Sequence, residues 1–67
     1  MKVETKKEIT NGKVIVPKGT MGNVWFVTNS VKIQQSYGLI VSDGWFYMVQ
    51  FPKNGNVLCE LKDLTIL

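Results

Sequence analysis

The sequence predicts one small all-β domain folded as a barrel, and three observations carry that expectation. Turn signals recur at short intervals: Asn11-Gly12, Pro17-Lys18-Gly19, Thr28-Asn29-Ser30, Ser42-Asp43-Gly44 and Pro52-Lys53-Asn54-Gly55-Asn56. The runs between them are short and rich in β-branched and aromatic residues, the pattern of a meander, sandwich or barrel. Helical periodicity is nearly absent. The 67 residues hold too few and too short strands for a two-sheet sandwich, whereas a closed or half-open barrel buries them and hides their edges.

The elements follow in order. Strands are expected near 2–9, 13–16, 22–28, 37–42, 45–51 and 57–60, with a short last strand near 65–67. The run Val16-Pro17-Lys18-Gly19-Thr20-Met21-Gly22-Asn23-Val24-Trp25-Phe26-Val27 is the clearest of these. Proline fixes the approach to the turn and glycine supplies its unusual backbone angles, so a β-prone strand leaves at once. Segment 28–36 is polar enough for a long loop with an ordered rim, although Val31 and Ile33 alternate as a strand would. Asp43-Gly44 is a hairpin signal. Glu60-Leu61-Lys62-Asp63-Leu64 sets two leucines three apart, which suits a single 3-10 turn. The expected core is Val14, Val16, Val24, Phe26, Leu39, Val41, Tyr47, Val49, Phe51, Leu58, Leu61 and Leu64.

Lys18-Gly19-Thr20-Met21-Gly22-Asn23-Val24, then Tyr47-x-Val49-x-Phe51, then Leu61-x-x-Leu64 resembles the small SH3-like barrels over residues 14–66. The resemblance implies a barrel of about five strands with a 3-10 turn near the C-terminus. Members include translation- and transcription-associated modules and small accessory proteins of redox assemblies. Their functions are unrelated, so the resemblance speaks to fold and not to activity.

Composition bounds the function class. One domain, 1–67, fills the chain, and a chain this short buries a modest core. Such domains lean on disulfides, metals or partners. Cys59 is the only cysteine and there is no histidine, so neither a disulfide nor a four-ligand zinc site is expected, and no cofactor. A partner, including a second copy joined through an open barrel edge, becomes the expectation. The lone thiol and the charged opening Met1-Lys2-Val3-Glu4-Thr5-Lys6-Lys7-Glu8 point to a cytoplasmic protein with no membrane span. The net charge of +3 comes from lysine alone, with no arginine anywhere. Arginine is the usual reader of guanine edges, so sequence-specific readout of DNA is disfavoured, while loose phosphate binding is not.

Enzymatic constellations are mostly excluded by absence. The commonest general base is missing, and no pair among Glu4, Glu8, Asp43, Glu60 and Asp63 is spaced for shared proton chemistry. Glu60 and Asp63 read as decoration of a solvated turn. Cys59 precedes a helical turn, which would suit a reactive thiol, but a small apolar filler of a barrel corner fits it better. Lysines 2, 6, 7, 13, 18, 53 and 62 offer phosphate contacts with aromatics between them, against the plainer reading of solubility and edge protection.

Strand alternation gives the sharpest expectation. Tyr47, Val49 and Phe51 share one face, taken as inward, which sends Phe46 and Met48 outward. With Val24 and Phe26 inward, Trp25 and Val27 point out as well. These residues then form an exposed apolar patch, unless the N-terminal strand or the 28–36 segment covers it as a second small core. The expected contact surface centres on Trp25, Trp45, Phe46 and Met48, rimmed by Lys18 and Lys53. It suits a larger protein partner, acidic at the contact, with nucleic acid as the rival ligand.

Overall fold

The computed structural model describes residues 1–11, 14–37 and 44–67. Most of the expected strand near 37–42, with its core residues Leu39 and Val41, lies outside the described residues, as do Gly12, Lys13 and Asp43.

Among the described residues seven strands are formed: β1 Lys2–Thr5, β2 Ile9–Asn11, β3 Val14–Val16, β4 Met21–Thr28, β5 Phe46–Phe51, β6 Gly55–Glu60 and β7 Leu64–Ile66. Helix α1 spans Val31–Ser36, and a 3-10 turn spans Leu61–Asp63. The protein is therefore mostly β. Among the described residues the strands form two sheets that do not close into a barrel, and the small all-β class stands. Five strands form an antiparallel sheet in the order β6-β5-β4-β1-β7, and β2-β3 stand apart as a hairpin. The first strand is shorter than expected. At Lys6 the backbone leaves the sheet, its N–H donating to the Asp63 carbonyl at 2.8 Å, and β2 starts a new direction.

Closure is unnecessary because each face of the sheet has its own cover. On one face, Val3, Val49, Phe51, Val57, Cys59 and Leu64 pack with Ile9 and Val16 of the hairpin. On the other, Phe46, Met48 and Leu58 form a second cluster, with Phe26 and Ile33 packed on it. Ile33 belongs to α1, so segment 28–36 holds a helix and is not the expected loop. Ser30 starts it: its hydroxyl accepts from the Ile33 N–H at 3.3 Å, satisfying one of the first turn's orphan donors. Gln34, on the same helix, is fully buried.

Two face assignments are thereby overturned. Phe46 and Met48 are not outward, since Met48 is 0% and Phe46 5% exposed. Phe26 is not on the same face as Val24. In the β4–β5 ladder Val24 lies opposite Val49, yet Phe26 lies opposite Met48, and the register slips between them. Trp25 is the extra residue of a β-bulge, and one extra residue reverses the side-chain phase of everything after it. Val24 therefore serves the first core and Phe26 the second. Leu61, expected in the core, is exposed, while Leu64 is buried as the first residue of β7, so the 3-10 turn itself contributes no leucine to the core.

Gly22 makes the central strand fit. A Cβ there would stand 2.7 Å from Val49 Cγ1, 2.8 Å from Phe51 Cδ1 and 2.9 Å from the Gln50 carbonyl oxygen. The last is backbone and cannot swing aside. Gly22→Ala is expected to lower stability by about 1–3 kcal/mol through overpacking, read as a reduced urea midpoint. Met48→Ala, which empties a site in the cluster shared with Leu58 and the helix, is expected to cost about 2–5 kcal/mol. Trp25→Ala serves as its control and should shift the midpoint far less.

Candidate binding surface

The six residues expected to share one surface separate into three places. Phe46 and Met48 lie in the second core. Trp25 and Trp45 are each 61% exposed. Lys18 sits in the exposed turn between β3 and β4, and Lys53 in the exposed turn between β5 and β6. Trp45 precedes β5 and Lys53 follows it, so the strand's full length, about 20 Å at the usual rise per residue, separates them. Lys53 therefore does not rim Trp45.

The tryptophan end is apolar. Trp25 is braced by Phe26, with ring centroids 5.5 Å apart and planes at 62°, an edge-to-face contact. Strand neighbours that alternate faces do not bring their rings so close, and the bulge is what allows it. Val27, next along β4 after Phe26, and Val31, at the start of α1, are also exposed. Val27 lies opposite Tyr47, and Thr28 opposite Phe46, so Trp45 falls at the same end of the ladder.

The lysine end is a shallow groove between two turns. A depression of about 420 Å³ is lined by Pro17, Thr20, Met21, Pro52, Lys53 and Asn54. A smaller one of about 190 Å³ shares Met21 and Pro52 and adds Lys2, Gly22 and Asn23. Buried Thr5 holds one wall in place. Its backbone N–H donates to the Thr20 carbonyl (3.0 Å), and its own carbonyl accepts from the Gly19 N–H (2.9 Å). Its hydroxyl donates to the Pro17 carbonyl (2.8 Å) and accepts from the Thr20 N–H (2.9 Å). A left-handed Gly19 at φ 81° lets the chain make this tight turn. On the other wall the Asn54 side-chain amide donates to the Ile15 carbonyl at 3.0 Å, tying the β5–β6 turn to the hairpin. Sequence reasoning did not single out Met21, Pro17 or Pro52 as contact residues. Their signal was two turn prolines and a methionine that begins a strand.

The Lys7 ammonium lies 3.4 Å from the Asp63 carboxylate, whose side chain is mostly buried, so Asp63 anchors the β1–β2 corner instead of decorating a solvated turn. Glu60 lies 3.2 Å from Lys62 and raises that ammonium's pKa, by hydrogen bonding first and charge second. Cys59 is buried, its thiol 3.6 Å from the Val57 carbonyl. Burial, then the negative charge of Asp63, pushes the thiol up from 9.0 to about 12. It is a core filler, since the reactive species is the thiolate. Among the described residues no group of three His, Cys, Asp or Glu side chains could hold a metal ion. No helix among them is long and apolar enough to cross a membrane.

No family model matches the chain, and neither a curated protein nor a solved structure matches it.

The Cys59 environment has a pH signature. The folded thiol keeps its proton where the unfolded chain releases it, so the unfolded state binds fewer protons and stability falls as pH rises. The loss spans the window from 9.0 to about 12. Urea unfolding across that window is expected to show a steeper decline for the natural chain than for Cys59→Ala. Equal slopes, or rapid thiol labelling of the native protein at neutral pH, would contradict the buried, protonated state.

Proposed function

We propose that this chain is a small non-enzymatic binding module of the cytoplasm, acting as accessory subunit, adaptor or inhibitor on a larger protein. The observation that carries the reading is the pair of exposed tryptophans, Trp25 at the bulge in the middle of β4 and Trp45 just before β5. A large indole left in water is what interface centres concentrate. Bracing by Phe26 lowers the entropy cost of presenting Trp25. Lysines 18 and 53, at the far end of β5, serve as long-range attraction toward an acidic partner instead of a rim. An SH3-like kinship belongs to the same proposal. Its support is that the segments carrying the resemblance include adjacent strands, β4 and β5, and that the 3-10 turn leads into a last strand paired with the first.

A second reading, binding of nucleic acid through lysines and an aromatic, is favoured by one observation. Lys2 and Lys53 line the two depressions, and among the described residues no carboxylate lines either one.

The leading reading is tested by affinity capture from the native host with the natural chain and with Trp25→Ala, Trp45→Ala and the double variant. Each single change is expected to weaken capture at least tenfold, a hot-spot-sized loss, with thermal unfolding nearly unchanged. Undiminished capture by the double variant would remove the tryptophans from the contact.

A further inference from the structure

We infer that the uncovered half of the sheet face carrying Met48 is a surface for single-stranded nucleic acid, with a row of side-chain amides reading the bases. The inference rests on the second reading above and names its ligand-reading groups. Helix α1 covers only the part of this face where Phe26, Met48 and Leu58 lie. The next row outward is Lys2, Asn23, Gln50 and Asn56, aligned directly across β1, β4, β5 and β6 by the ladder register. Directly opposed residues share a face, so these four side chains form one transverse row about 14 Å wide at the usual strand spacing. All four are exposed.

Solvent-facing strand positions favour threonine, valine and aromatics, and asparagine is depleted there. Asn56 borders a turn, which accounts for it locally, but Asn23 and Gln50 lie inside their strands. None of the three amides is held by another group among the described residues, so their donors and acceptors are open to a ligand. Each primary amide offers two N–H donors and a carbonyl acceptor in one plane, the complement of a base edge. The bulge sets the Trp25 indole close after this row in β4, between Asn23 and Phe26, where a base can stack.

Charge decides among ligands that like indole and amides. Lys2 ends the row, Lys53 flanks the adjoining groove, and the chain carries +3 overall. Glu4, opposite Met21 and half-buried, is the one carboxylate of this face near the row among the described residues. An anionic polymer with planar hydrogen-bonding units fits this set. An uncharged glycan would leave the lysines without a role, and an acidic peptide would leave the amide row without one.

The test is fluorescence anisotropy of labelled single-stranded homopolymers and mixed sequences, as DNA and as RNA, at two salt concentrations. The natural chain is expected to bind at low salt with a preference among bases. Replacing Asn23, Gln50 and Asn56 by threonine, which suits strands, is expected to erase that preference, a change of roughly tenfold, and leave the salt slope unchanged. Trp25→Ala should weaken every sequence roughly tenfold. Lys2→Gln with Lys53→Gln should flatten the salt slope by about 0.7 for each phosphate no longer neutralised. Binding without base preference, unmoved by the threonine variant, overturns the amide row and leaves the second reading standing. No binding at low salt, or tighter binding of a neutral oligosaccharide or of polyglutamate, overturns both. Thermal unfolding of each variant distinguishes weakened recognition from a damaged fold.

Discussion

The one-residue slip at Trp25 is the constraint on which the rest of this structure depends. A regular strand sends alternate side chains to one core, and a short chain has few strands to spare. The bulge lets β4 change sides partway, so Val24 reaches the core under the hairpin while Phe26 reaches the core under the helix. Strand β5 then runs past both, contributing Val49 and Phe51 to one and Phe46 and Met48 to the other. Two small cores share a single sheet, and neither requires the sheet to close on itself.

Each core has a lid held by specific bonds instead of by area alone. The hairpin lid depends on the corner where Lys6 and Lys7 meet Asp63, on the Asn54 bond to Ile15 and on the four-bond knot at Thr5. A buried threonine with every polar atom engaged is a stable feature, because removing one partner strands the other without water. The helix lid is less than two turns long, too short to persist alone. Its cap at Ser30, the packing of Ile33 on the second core and the burial of Gln34 hold it in place.

This arrangement also explains why the exposed surface is divided. Covering half of the second face with α1 removes Phe46 and Met48 from any contact and leaves Trp25 at the boundary between the buried and open halves. Beyond that boundary lie the amides and lysines; toward the other end lie Val27, Val31 and Trp45. One bulge therefore places the same indole beside an apolar neighbourhood and a polar one, and the two binding readings differ in which neighbourhood they recruit.

The sequence by itself determined the β character, most strand positions, the 3-10 turn, the sharp entry into β4 and the exposure of Trp25. These are local properties: turn chemistry at Pro17-Lys18-Gly19, β-branched runs, and a large indole in a chain with little core to hide it. What misled was strict alternation. Val24 to Val27 and Phe46 to Val49 are apolar at every position, and such runs mark strands buried on both faces. That signal was legible, and it argued against an outward Phe46 and Met48. Only the tertiary structure decided which residue the bulge would absorb, that segment 31–36 would coil into a lid, and that Asn23, Gln50 and Asn56 would align. Those outcomes depend on pairing between strands distant in the chain, where register is set by the total burial on two faces and not by any one segment's preference.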